Sequence, residues 1–118
     1  MVPEDDKIRL LHMIEAARDA VAFVEGKSRE EFETERATNQ AVVRAVTVLG
    51  EAASQVSPPT RAEFSDLPWG EMVGMRNRPV HAYHDINLAI VWRTVSEDLP
   101  PLIDCLSQIV DELSHQED

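Results

Sequence analysis

Ala41-Val42-Val43-Arg44-Ala45-Val46-Thr47-Val48-Leu49-Gly50-Glu51-Ala52-Ala53-Ser54-Gln55-Val56 is the stretch that decides the fold. Val42, Val46, Leu49 and Val56 recur at the spacing of one helix face, not at the alternation of a strand. Phe32 extends the same face upstream. Gly50 sits inside the pattern, where it costs about 1 kcal/mol against alanine. A glycine kept there predicts close approach of a neighbouring helix. Ser57-Pro58-Pro59-Thr60 ends the segment, because proline lacks the amide donor and clashes with the preceding turn.

Upstream, Ser28 with Glu31 three residues on forms a capping box and starts this helical segment. Between Glu33 and Gln40 the apolar signal thins. Two arrangements fit: one long helix with an exposed or interface-facing start, or two helices with a kink. A first helix runs from about Pro3 to Val24. Pro3 suits a first helical position, and Glu4, Asp5 and Asp6 suit the positive end of the helix dipole. Ile8, Leu11, Ile14, Val21 and Val24 mark its inward face, and Gly26 its stop.

Downstream, the residues to Leu67 read as a loop with at most a short helical turn. Pro68 opens a third helix through Trp69, Met72, Val73 and Met75. Pro79 breaks or kinks it and pushes Arg78 toward an extended conformation. His81 and Tyr83 therefore fall on a turn beyond the helix or on its distorted last turn. Asp85 or Asn87 caps a fourth helix carrying Leu88, Val91, Trp92 and Val95. Pro100-Pro101 separates it from a fifth, carrying Leu102, Cys105, Leu106, Ile109 and Leu113. The expectation is an all-α, up-and-down bundle of four to five helices, one domain over residues 1–118.

Composition agrees. Hydrophobic residues make up 43% and aromatics 5% of the chain, a balance that suits packed helices better than a sandwich. Cys105 is the single cysteine, so no internal disulfide can form, which fits a reducing cytoplasm. The acidic start lacks an apolar signal region, and no apolar run approaches the roughly 18 residues of a membrane span. A soluble cytoplasmic protein is the expectation. The net charge of −11 argues against broad nucleic-acid binding through many cations. Yet residues 61–93 carry Arg61, Arg76, Arg78 and Arg93 against Glu63, Asp66, Glu71 and Asp85, so that stretch is neutral. A small basic site on an acidic body, or a basic protein partner, remains open.

The chemistry concentrates in Arg76-Asn77-Arg78-Pro79-Val80-His81-Ala82-Tyr83. Arginine binds phosphate, histidine moves protons near neutral pH, and tyrosine offers a phenolic hydroxyl. These groups can cleave a phosphodiester without a metal. In a regular helix Arg76 and His81 would lie about 140° apart, so sharing a cleft depends on the distortion at Pro79. Transesterification of RNA needs a base for the 2′-hydroxyl, an acid for the leaving 5′-oxygen and a cation for the developing charge. One histidine cannot easily do both proton tasks, so a catalytic motif predicts a homodimer with two copies of His81 and Arg76 in one cleft. Taken singly, each residue has a plainer reading. Arg76 suits a surface ion pair, His81 a capping role and Tyr83 a packed ring. His81 and His84 have the spacing of two metal ligands but no third, so no metal is expected. His12 and His115 read as solvated, Cys105 as buried on an apolar stripe, and Trp69 and Trp92 as packing residues.

Pro68 to Tyr83, Pro-Trp-Gly-Glu-Met-Val-Gly-Met-Arg-Asn-Arg-Pro-Val-His-Ala-Tyr, resembles the signature of the HepT-like family. That family, once catalogued as domain of unknown function 86, belongs to the HEPN superfamily of helical nucleases. Val48-Leu49-Gly50-Glu51-Ala52-Ala53 resembles its helix-two element, and Asp85 to Leu99 resembles the family's segment C-terminal to the motif. The resemblance implies a HEPN-type helical bundle that dimerises to form one cleft, with metal-independent endoribonuclease activity and no cofactor. It implies the toxin of a toxin–antitoxin pair, partnered by a minimal nucleotidyltransferase antitoxin of the MntA type. That antitoxin would transfer AMP to the motif tyrosine. By position, Arg76 and His81 match the catalytic pair, Tyr83 the modified tyrosine, Asn77 a supporting polar residue and Glu51 a helix-two acid that could orient an arginine. Position 79 is more usually aliphatic in the family, so Pro79 departs from it. An active nuclease, a weakened one, and a non-catalytic binding module for the nucleotidyltransferase are all compatible with these residues.

Overall fold

Helix formation in this chain follows its caps and its alanines. The computed structural model describes residues 2–76 and 87–116. Among these there are seven α-helices and no strand: α1 Glu4–Val24, α2 Arg29–Thr34, α3 Arg36–Ser54, α4 Pro58–Glu63, α5 Trp69–Gly74, α6 Leu88–Arg93 and α7 Leu99–Gln116. A π-helical turn, Thr94–Asp98, joins α6 to α7. The all-α reading holds.

The main contact of the fold is α1 along α3, with α7 packed on α1 and α5 on α3. Helix α1 buries Leu10, Met13, Ile14, Ala16, Ala17, Ala20 and Val24, and α3 buries Val42, Ala45, Val46, Leu49, Ala52 and Ala53. Alanines on both faces let the two backbones come close, so the core is filled by small residues and the methylenes of Leu and Met. This corrects the inward face read for α1. Ile8 and Leu11 are 41% and 43% exposed. The contact is marked by alanine, which large-residue periodicity passes over.

Of the two arrangements open for residues 28–56, the break is the one found. Ser28 Oγ accepts from the Glu31 amide at 3.1 Å while Glu31 Oε1 accepts from the Ser28 amide at 2.9 Å, completing the capping box. Glu35 then takes extended backbone angles between α2 and α3. Its carboxylate accepts from Lys27 Nζ at 2.6 Å and Thr38 Oγ1 at 3.1 Å. Asn39 Nδ2 donates back to the Phe32 and Glu33 carbonyls, both at 3.3 Å, covering the end of α2. The thin apolar signal therefore marks a joint built from polar side chains. Phe32 is fully buried beyond it, its ring 5.5 Å from that of Trp92.

The Pro58-Pro59 loop forms α4, with its prolines at the first helical positions. Asp6 of α1, only 4% exposed, holds this helix start. It accepts from the Ser57 amide at 3.1 Å and from the hydroxyls of Ser57 and Thr60, both at 2.5 Å. Burial pushes the Asp6 carboxyl up, but these three hydrogen bonds outweigh it and hold the group below the usual aspartate range.

Pro100-Pro101 does not separate two helices, contrary to expectation. The two prolines stand near the start of α7, directly after the π turn, where the Leu99 amide donates to the Thr94 carbonyl five residues back. The widened turn makes room ahead of the rings that would clash in a regular helix. Cys105 is also corrected: it is exposed. Leu102, Leu106 and Leu113 form the buried line of α7, and Cys105 falls at its edge. Trp92 and Trp69 pack as expected, and His12 lies on the surface.

Candidate functional site

Arg76 stands just beyond the end of α5, with its side chain exposed. Its amide donates to the Val73 carbonyl at 3.3 Å, closing the last turn. Met72 and Met75, 0% and 4% exposed, anchor the inner side of that turn in the core. The chain at Arg76 is therefore anchored on its inner side, with the side chain exposed.

Two features hold α5 against α3. The first is Gly50 of α3. A Cβ added there would collide with the Arg76 backbone nitrogen and lie 3.0 Å from its Cα and Cβ. The close approach predicted for Gly50 is thus made to Arg76 itself. The second is Arg61, which sequence alone marks only as a charge. Its guanidinium donates to the carbonyls of Val56, Ala53 and Ser54 at 3.0, 3.1 and 3.0 Å, satisfying the open end of α3. The same guanidinium lies 5.7 Å from the centre of the Trp69 ring, and Trp69 Nε1 donates to the Phe64 carbonyl at 3.0 Å. One cation thereby ties the end of α3 to the start of α5. The sequence signal was present: a basic residue shortly after a helix terminus complements its dipole.

Glu51 is exposed on α3, next to Gly50. No ion pair between described residues joins it to Arg76. Asn77, Pro79, His81 and Tyr83 lie outside the described residues, as does His84. The chain resumes at Asn87, whose side chain accepts from the Ala89 and Ile90 amides at 3.0 and 3.2 Å and caps α6. Asn87, not Asp85, is thus the residue that fills that capping position. Among the described residues there is no group of three or more His, Cys, Asp and Glu that could hold a metal ion, and no helix is long and apolar enough to cross a membrane.

A concave surface whose lining does not include Arg76 lies elsewhere on the fold. It is a groove of about 440 Å³ between α1 and α3, with His12, Glu15, Asp19, Phe23, Arg44 and Val48 among its lining residues. Its mixed charges and partly exposed apolar groups present no arranged set of reactive side chains.

Comparison with known proteins gives a consistent family. Residues 13–109 match the family model described as "Ribonuclease HepT-like". The chain is 34% identical over 102 residues to "Putative RNase MJ1380" of Methanocaldococcus jannaschii, covering 86% of this chain and 94% of that protein. It is 32% identical over 93 residues to "Probable ribonuclease HepT" of Thermococcus cleftensis, covering 75% and 84%. It is 31% identical over 93 residues to "Putative RNase TTE0752" of Caldanaerobacter subterraneus subsp. tengcongensis, covering 79% and 83%. No solved structure matches.

Proposed function

The chain belongs to the ribonuclease HepT-like family, and on that premise we propose that it is a metal-independent endoribonuclease acting as the toxin of a toxin–antitoxin pair. The observation that carries this reading is the presentation of Arg76 at an anchored but exposed helix end. It directly precedes the segment containing His81 and Tyr83, inside the stretch that matches the family.

In this reading the Arg76 guanidinium binds the scissile phosphate and stabilises the charge that builds up on it. One His81 takes the proton of the 2′-hydroxyl, whose oxygen attacks phosphorus. A second His81, from the partner protomer of a homodimer, protonates the departing 5′-oxygen. The products are a 2′,3′-cyclic phosphate and a free 5′-hydroxyl. Asn77 and Glu51 support the arrangement. A minimal nucleotidyltransferase antitoxin of the MntA type transfers AMP from ATP to the Tyr83 hydroxyl, which attacks the α-phosphorus and displaces pyrophosphate. The added phosphate competes for Arg76 and the adenosine blocks RNA entry. The site would work in the cytoplasm.

The test is inducible expression of wild type and His81→Ala in a bacterial host, with incubation of both purified proteins with RNA in EDTA. Growth arrest and chelator-resistant cleavage by wild type alone are expected. Equal, negligible activity from two folded dimers sinks the nuclease reading. A second reading, a non-catalytic helical module that partners the nucleotidyltransferase, draws support from the net charge of −11, which disfavours free RNA binding and suits a protein complex. Tyr83→Phe is expected to keep toxicity and lose antitoxin control. Continued silencing and labelling of that variant would remove the tyrosine from the mechanism.

A further inference from the structure

We propose that Gly50 is a positioning residue for Arg76: its missing side chain is the seat that sets where the guanidinium points. The inference rests on the nuclease reading and adds a residue to it. Gly50 is buried within α3 at a place where any Cβ would strike main chain, namely the nitrogen and Cα of Arg76. Main chain cannot rotate away as a flexible side-chain tip can, so a larger residue must move the Arg76 segment or α3. Other glycines of the region differ. Gly70 and Gly74, both in α5, have open space where a Cβ would go. Contact with the Arg76 backbone therefore belongs to Gly50 and is not a general feature of glycines near the site. The rest of the turn cannot absorb the shift, because Met72 and Met75 are buried and Arg61 with Trp69 ties α5 to α3. Movement is directed into Arg76.

Displacing a phosphate-binding group by about 1 Å is enough to lose on the order of a hundredfold in rate. Gly50→Ala is thus expected to lower kcat for RNA cleavage by roughly a hundredfold. A structural defect alone could lower activity too, so the deciding readout is salt dependence of binding. Each phosphate contact contributes a slope of about −0.7 in log affinity against log salt for a single strand. In a His81→Ala background, which prevents cleavage, binding of a single-stranded RNA oligonucleotide is measured across salt for Gly50→Ala, Arg76→Ala, both together and Gly74→Ala. The slope should weaken by about 0.7 in either single variant, with no further change in the double, and stay unchanged in Gly74→Ala. An unchanged slope and rate in folded Gly50→Ala overturns the inference while leaving the nuclease reading intact. So does a further loss of slope in the double variant. Wild type that neither cleaves nor binds RNA overturns the nuclease reading, and this inference falls with it. If Gly50→Ala does not fold, wild type decides. A nuclear Overhauser contact between the Gly50 Hα and the Arg76 amide is expected, and its absence overturns the inference.

Discussion

A buried carboxylate and a half-buried guanidinium show how single residues divide the work. Asp6 has its folded pKa below the unfolded value, so the unfolded chain takes up the proton first as pH falls. Its contribution is complete above the usual aspartate value of about 3.9 and is lost as pH drops through the lower folded value. Asp6→Ala is expected to cost roughly 1–3 kcal/mol near neutral pH, through the unsatisfied amide and hydroxyls it leaves. Denaturant unfolding at pH 7 and pH 3 checks this, since the difference from wild type must shrink at the lower pH. Arg61 acts at the same scale. Its planar guanidinium serves three carbonyls and one ring, an arrangement an ammonium cannot reproduce. Arg61→Lys is therefore expected to lower the melting temperature despite keeping the charge, and a calorimetric scan that matches wild type would refute the capping account.

At the scale of elements, the joints matter more than the helix interiors. Gly26 ends α1 with φ of 74°, a left-handed conformation that costs an L side chain roughly 1–2 kcal/mol. Gly26→Ala should lose about that much stability, read from the midpoint of urea unfolding. Ser28→Ala removes the hydroxyl half of the capping box and should cost about 1 kcal/mol. Helix α2 has only six residues and depends on that cap and on burial of Phe32. The joint at Glu35 was legible as a gap in the apolar pattern, but choosing a break over a continuous helix needed the Lys27, Thr38 and Asn39 contacts. The π turn was not legible. Two prolines in sequence read as a stop, and only packing of Val95, Leu99 and Leu102 into one core keeps the chain helical across them.

Across the whole molecule, large apolar groups stay on the surface: Ile8, Leu11, Phe23, Val48 and Ile90 are each 38–43% exposed. They are available to a second copy or another partner. If two protomers share one cleft, wild type mixed with excess His81→Ala should lose more RNA-cleaving activity than dilution explains. Activity per wild-type subunit that stays constant would show that each chain works alone. With a net charge of −11, the proposed RNA substrate would be held at a local basic site, so the proposed cleavage is expected to fall as salt rises from about 50 to about 200 mM.

The sequence by itself determined the helical class, the capping box at Ser28, the glycine that marks a close approach and the motif that aligns with a nuclease family. Each rests on local rules: periodicity, capping chemistry and residue spacing. The tertiary structure decided which backbone meets Gly50, that Arg61 ties α3 to α5, that alanines define the contact of α1 with α3, and that Cys105 faces outward. These depend on what lies opposite a residue in space, and a helix face read from one chain segment carries no record of its neighbour.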